Sequence, residues 1–269
     1  RERTLRKIPG VGPAVASGLR SLKRGVKRIF YNSTIFEDMG FAYYGPFDGH
    51  NIKELAETLE TAKLIHKPVL LHIRTYKGKG YQYAEQDPTI YHGLSGFDVT
   101  TGDTGAKSQS FSDEFGQALC SLARENPKLC AITAAMQNGT GLTAFREEFR
   151  SRFFDVGISE EHAVTFAGGL AAGGMLPVFA VYSTFLQRAY DELIHDVSMQ
   201  NTKVILAIDR AGVVGEDGKT HQGVFDAAYL QTIPNVTVYS PAYFKELRLQ
   251  LAYLVEQGRG LCAIRYPRG

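Results

Sequence analysis

Apolar positions along this chain gather into short runs rich in β-branched and aromatic residues: Pro68 to Thr75, Leu129 to Ala134, Phe153 to Gly157, Val178 to Tyr182, Val204 to Asp209, Val236 to Tyr239 and Leu261 to Arg265. Each has the length and composition of a strand. Between them lie helix-length segments in which apolar and polar positions mix: Asn51 to Ile65, Ser112 to Glu125, Glu160 to Ala172, Phe185 to Gln200 and Tyr243 to Glu256. Strand and helix alternate, and several strands read as continuous apolar runs, the pattern of strands covered on both faces. The alternation predicts an α/β architecture, a doubly wound parallel sheet with helices on both sides.

A polar stretch rich in Gly, Thr and Ser, from Val99 to Ser110, interrupts this rhythm and reads as an interdomain linker. It suggests two domains, residues 1–106 and 107–269. The second holds a complete alternating series. The first offers one good helix and one good strand, too little for a doubly wound domain, and is expected to be the tail of something larger. The uncharged run from Ala163 to Gln187 could imitate a membrane span, but Gly168, Gly169, Gly173, Gly174 and Pro177 divide it into a helix-like and a strand-like piece, so no membrane partner is expected. The opening Arg1-Glu2-Arg3-Thr4 is not a Met followed by an apolar run, so no secretory signal is read, and the chain is expected to be a segment.

Composition changes this picture little. A 269-residue chain with 44% hydrophobic and 22% charged residues and a formal net charge of +2 is an ordinary globular sequence without an electrostatic case for nucleic acid. Cys120, Cys130 and Cys262 form no CxxC pair, which argues against a zinc site or disulfide framework and suits a reducing compartment. Ile8-Pro-Gly-Val-Gly-Pro-Ala-Val-Ala16, followed by Lys23, Arg24, Lys27 and Arg28, resembles a helix-hairpin-helix turn, in which backbone amides would hold a phosphate. It occurs once, without a basic excess elsewhere, so a solvated basic linker is the expected reading and a DNA-binding fragment an alternative.

Chemistry-bearing residues cluster in order along the chain. They are Gly45-Pro-Phe-Asp-Gly-His50, Tyr76-Lys-Gly-Lys-Gly-Tyr81 with Tyr91-His92, Ile158-Ser-Glu-Glu-His-Ala-Val-Thr-Phe166, Tyr182-Ser-Thr-Phe-Leu-Gln-Arg-Ala-Tyr-Asp191, Asp209-Arg-Ala-Gly-Val-Val-Gly-Glu-Asp-Gly-Lys-Thr-His-Gln-Gly223, and a closing Arg265-Tyr-Pro-Arg268. From about Phe36 to Gly269 this series resembles the 1-deoxy-D-xylulose-5-phosphate synthase family, relatives of transketolase. The resemblance implies the thiamine-diphosphate-binding fold, with a pyrimidine-type domain over 107–269 preceded by the end of a pyrophosphate-type domain. It implies condensation of pyruvate with D-glyceraldehyde 3-phosphate, a homodimer, and a cytoplasmic enzyme (in the plastid stroma if the source is a plant or alga). Transketolase-type ketol transfer is the nearest enzymatic alternative, and a non-catalytic fragment is another.

Glu160 stands where a strand gives way to a helix, at the carboxyl edge of a parallel sheet where such folds bind ligands. On its own it could be no more than a favourable helix N-terminal charge. By resemblance it hydrogen-bonds the cofactor's aminopyrimidine, with Glu161 structural, Phe185 stacking on that ring and Tyr81 touching the cofactor from the first domain. Arg210 and Arg265 each end a predicted strand, and planar guanidiniums suit a phosphate. The resemblance groups them with Tyr182 and Arg188 on the acceptor's phosphate side. It also sets His92 toward the donor ketoacid and His221 with Asp217 toward the acceptor, imidazole being the side chain that moves protons near neutrality. His50 is read as the cap of a helix entry. The family's Gly-Asp-Gly triplet and following asparagine, which hold the diphosphate through Mg²⁺, have no counterpart in this sequence. No metal ligand is therefore assigned, and the Mg²⁺ ligands are expected outside these residues.

Overall fold

The computed structural model describes residues 34–93, 96–105 and 108–268. The helix-hairpin-helix resemblance and its basic residues lie outside them. The chain divides into two units, one ending at Thr104 and the other beginning at Gly105.

In the first unit, β1 (Ala42–Asp48) and β2 (Val69–Arg74) pair in parallel, joined by helix α1 (Ile52–Lys63). Sequence reading gave only the second strand. In β1, Pro46 has no N–H to donate and the pairing register skips from Tyr44 to Phe47, the mark of a proline inside a strand. Asn51, not His50, caps α1, its side chain accepting from the Glu54 N–H. His50 instead accepts the Tyr76 N–H on Nε2 at 2.8 Å, which pins the start of the Tyr76–Gly80 turn.

The second unit is a six-stranded, wholly parallel sheet in the order β4-β3-β5-β6-β8-β7. The strands are β3 (Leu129–Thr133), β4 (Phe153–Asp155), β5 (Leu176–Tyr182), β6 (Val204–Asp209), β7 (Thr237–Tyr239) and β8 (Leu261–Arg265). Strand side chains alternate between two cores, as a pleated sheet requires. Ala131, Val178, Ala180, Ile205 and Ala207 face one core, which holds side chains from helices α2 (Phe111–Glu125) and α5 (Phe244–Gln257). Ile132, Phe179, Val181, Leu206 and Ile208 face the other, with side chains from α3 (Glu160–Ala172). The doubly wound α/β expectation holds. Helix α2 starts at a capping box, Ser110 and Asp113 satisfying each other's backbone donors. All three cysteines are buried and unbridged.

One predicted helix is not continuous. The stretch read as Phe185 to Gln200 runs as a short helix α4 (Ser183–Leu186), a 3-10 turn, one further turn, and a π-helical segment Leu193–Ser198. Its neighbour α3 approaches closely: a Cβ on Gly168 would stand 2.8 Å from the Asp196 carbonyl oxygen. Among the described residues no helix is long and apolar enough to cross a membrane.

Candidate functional site

The register of the sheet brings the candidates to one edge. Tyr182, the last residue of β5, pairs with Asp209, the last of β6, and Ile208 pairs with Arg265 at the end of β8. These are carboxyl ends of parallel strands, where open α/β sheets bind ligands.

Glu160 is the first residue of α3 and only 2% exposed. The chain reaches it from β4 through Gly157, whose φ of +74° suits glycine, and through Asp155, whose Oδ1 accepts from the Gly157 and Ala135 N–H groups. A carboxylate removed from water costs several kcal/mol (about that order) unless it is paired. Here Arg188 Nη1 donates to Glu160 Oε2 at 3.1 Å, and among the described residues no hydrogen bond reaches Oε1. Arg188, expected beside a phosphate, thus bonds the Glu160 carboxylate. Phe185 lies three residues before it and is half-buried. The adjacent Glu161 is exposed.

Phe185, Tyr182 and His221 form an aromatic group. Phe185 stacks on Tyr182 at 5.8 Å and 21°, and meets His221 edge-on at 5.2 Å and 72°. Tyr182 carries the Arg210 guanidinium 3.8 Å from its ring centroid, within cation–π range. Burial raises the Tyr182 phenol above its ordinary pKa. Gly139 allows this packing, because a Cβ there would lie 1.6 Å from the Tyr182 hydroxyl.

Arg210 leaves β6 with φ of +55°, a left-handed conformation that costs a residue with a side chain about 1–2 kcal/mol. Its side chain is fixed by four contacts: the Tyr182 ring, the Gly139 carbonyl at 2.8 Å, Asp209 at 3.1 Å and Asp217 at 2.9 Å. Asp209 is fully buried and also accepts from Ser112 Oγ at 2.6 Å. Burial pushes its carboxyl up to about 6 against the opposing pull of Arg210. Asp217 and His221 ride on a loop closed by reciprocal bonds between Gly212 and Gly223, at 2.6 and 2.8 Å. Gln222 staples that loop internally through Val214 and the Gly218 carbonyl.

The closing arginines part company. Arg265 donates from Nε and Nη2 to the buried Asp226 at 2.7 and 3.2 Å, and from Nη1 to Ser240. Arg268, to which sequence reasoning gave no role, bonds Asp217 at 2.8 Å and so joins the Arg210 group. The missed signal was its place three residues beyond the end of β8, in the quoted Arg265-Tyr-Pro-Arg268 run. Tyr81 and His92 belong to the first unit. Tyr81 donates to the Val99 carbonyl and packs among the rings of Tyr83, Tyr91 and Phe97. His92 ends a 3-10 turn and is exposed. A separate groove of about 210 Å³ in this unit lies between α1 and the two strands, lined by Tyr44, Phe47, Ile65 and Leu71; it contains none of the candidates. Among the described residues no group of three or more His, Cys, Asp or Glu could hold a metal.

Comparisons with known proteins bear on the family and the fold. A family model described as the pyrimidine-binding domain of transketolase matches residues 107–269, and one described as 1-deoxy-D-xylulose-5-phosphate synthase matches residues 1–75. The chain is 51% identical over 269 residues to the 1-deoxy-D-xylulose-5-phosphate synthase of Clostridium kluyveri, covering 100% of this chain and 43% of the relative. It is 55% identical over 265 residues to that of Symbiobacterium thermophilum, covering 98% of this chain and 41% of the relative. The chain thus spans about two-fifths of these relatives' length. Among solved structures, a split-gene transketolase described as an inactive β4 tetramer is similar with a TM-score of 0.54 and 28% identity, over 61% of this chain and 53% of that one. Transketolase of Leishmania mexicana shares the fold at a TM-score of 0.54 and 22% identity, over 61% of this chain and 26% of that one.

Proposed function

Because this chain belongs to the 1-deoxy-D-xylulose-5-phosphate synthase family, we propose that it carries the aminopyrimidine-binding side of a thiamine-diphosphate site that condenses pyruvate with D-glyceraldehyde 3-phosphate. The observation that carries the reading is Glu160: a carboxylate 2% exposed, at the head of a helix on the ligand-binding edge, bonded to an arginine three residues beyond a half-buried phenylalanine. These residues fit a flat, basic heterocycle. Glu160 offers Oε1 to a ring nitrogen while Arg188 occupies Oε2, and the Phe185 ring offers an apolar stacking face. When bound, thiamine diphosphate supplies the carbon nucleophile and the electron sink for loss of CO₂.

The chain's own residues do the rest. Glu160 is assigned to hydrogen-bonding the heterocycle nitrogen through Oε1. Arg210 and Arg268, gathered around Asp217, offer guanidinium donors to the acceptor's phosphate, and Tyr182 lines the same corner. Arg265 directs Nε and Nη2 to Asp226 and Nη1 to Ser240 and is assigned instead to holding the end of β8. His221, edge-on to Phe185, is assigned to moving a proton to or from the acceptor's carbonyl oxygen, and His92 to the donor ketoacid. We further propose that residues 1–106 belong to the end of a pyrophosphate-binding domain and 107–269 to the pyrimidine-binding domain. The proposal extends to Mg²⁺ held by residues outside this sequence, a homodimer, and a cytoplasmic enzyme, or a stromal one in a plastid.

The test is CO₂ release from pyruvate by the protein carrying this sequence, supplied with D-glyceraldehyde 3-phosphate, thiamine diphosphate and Mg²⁺. Glu160→Gln is expected to lower turnover by about a hundred-fold or more, the worth of a positioned proton-transfer group. Turnover equal to wild type would defeat the assignment. Ketol transfer of the transketolase type is the second reading, on the 28% likeness to the split-gene transketolase; activity with a ketose phosphate donor in place of pyruvate would favour it.

A further inference from the structure

Three carboxylates and two guanidiniums meet at the ends of β6 and β8. Asp209 pairs with Arg210, and Asp217 bridges Arg210 and Arg268. Glu216 Oε2 lies 2.9 Å from Arg268 Nη1, an ion pair. The members differ in how firmly they are held. The side chains of Asp209 and Asp217 are 0% and 19% exposed and each makes two or more hydrogen bonds. The Glu216 side chain is 70% exposed and touches the group only through Arg268. By formal charge, three carboxylates against two guanidiniums leave the group one excess negative charge, and without Glu216 it is balanced. Arg268 places Nη1 on both Asp217 and Glu216, at 2.8 and 2.9 Å. Among the described residues its Nη2 and Nε have no hydrogen-bond partner, although a guanidinium carries five N–H donors in a planar fork.

We propose that Glu216 is an internal counter-anion that competes with a phosphate monoester for Arg268 and thereby sets how tightly this corner holds a phosphorylated substrate. The inference rests on the acceptor-phosphate reading given above and adds a residue to which that reading gives no role. An exposed carboxylate on an arginine lowers the arginine's attraction for a second anion, and the arriving dianion must turn Glu216 into solvent. Asp217 cannot serve in this way, because it orients Arg210 and Arg268 together. The arrangement disfavours singly charged carboxylates, which gain less from displacing Glu216 than a phosphate dianion does.

The experiment is calorimetric titration of glycerol 3-phosphate, a phosphate monoester without a reactive carbonyl, into the protein carrying this sequence and its variants. Glu216→Gln, nearly isosteric but neutral, is expected to bind about two- to five-fold more tightly than wild type at low ionic strength, the range of an exposed ion pair. The gain should vanish near about 1 M salt, where the screening length falls to about 3 Å. Arg268→Gln should lose most of the affinity, and adding Glu216→Gln to it should restore none. In steady-state turnover, Glu216→Gln should lower KM for the phosphorylated aldehyde and leave KM for pyruvate unchanged, a split that a general loosening of the loop would not give. Equal or weaker binding by Glu216→Gln, no binding by wild type, or a gain that persists without Arg268 would each overturn the inference. Because the titration needs no turnover, binding that follows this pattern in a protein that releases no CO₂ would reject the condensation reading alone.

Discussion

Arg265 sets its fork on Asp226, a residue 39 positions earlier and fully buried, whereas Arg268 reaches only acids at the sheet edge. Read in sequence, Arg265 directly ends a strand and looks the better phosphate ligand, because nothing local reveals a buried partner so distant. Removing one member of a buried pair strands the other. Asp226→Ala is therefore expected to cost about 3–5 kcal/mol in urea unfolding, against less than about 0.5 kcal/mol for Arg268→Gln, a typical surface change; similar losses would refute the division of labour. Asp209 makes a second prediction. Its carboxyl sits at about 6 in the fold against about 3.9 for a free aspartate, so the folded chain binds the proton more tightly than the unfolded one. Its stabilising contribution is then complete below about pH 4 and is lost as pH rises through about 6, on the order of 3 kcal/mol in all. Asp209→Asn stays neutral. Its stability relative to wild type should climb between about pH 4 and 6 and level off above, as urea midpoints at several pH values would report; a flat difference would mean that Asp209 titrates alike folded and unfolded.

At the scale of elements, legibility followed burial. Val204 to Asp209 is buried at every residue, so its apolar run declares a central parallel strand with the bounds observed. Leu261 to Arg265, buried as far as Ile264, also shows the bounds observed, and Glu160 is legible as the first residue of α3, since a strand, a glycine turn and a helical run meet there. β1 stayed hidden because Pro46 and the exposed Tyr44 break both the pattern and the pairing. The break in the stretch from Phe185 to Gln200 was also invisible, because it accompanies the close contact of Gly168 with the Asp196 carbonyl, a tertiary demand that overrides local helix preference. A second close approach governs α2: a Cβ on Gly116 would stand 2.0 Å from the Gly141 carbonyl oxygen, and one on Gly141 2.0 Å from that of Ser112. These two glycines let α2 lie against the loop that carries Gly139, and so fix the carbonyl on which Arg210 rests. The site inherits its geometry from backbone contacts of this kind, which spacing in a sequence does not encode.

Across the whole molecule the two units differ in how much apolar surface they bury. Between residues 34 and 104 the buried hydrophobic residues among those described are Ala42 and Ala84, whereas the second unit buries long runs from every central strand. Burial of a large apolar side chain contributes about 1.5–3 kcal/mol, and a lone pair of strands is marginal in water. The second unit should therefore set the global stability while the first opens at far lower cost. Hydrogen exchange followed by mass spectrometry would resolve this by peptide. Amides of β3, β5, β6 and β8 should exchange only through global unfolding, and those of β1, β2 and α1 at least about a hundred-fold faster, a gap of about 2.7 kcal/mol. Tyr81 and His92 sit in the faster unit, so their rates should follow β1 and β2 when the protein is free. Thiamine diphosphate or a pyruvate analogue that engages them should slow exchange around Tyr76–His92 without changing β6. Uniform protection of both units in the free protein would show that the first is held by contacts other than its own apolar core.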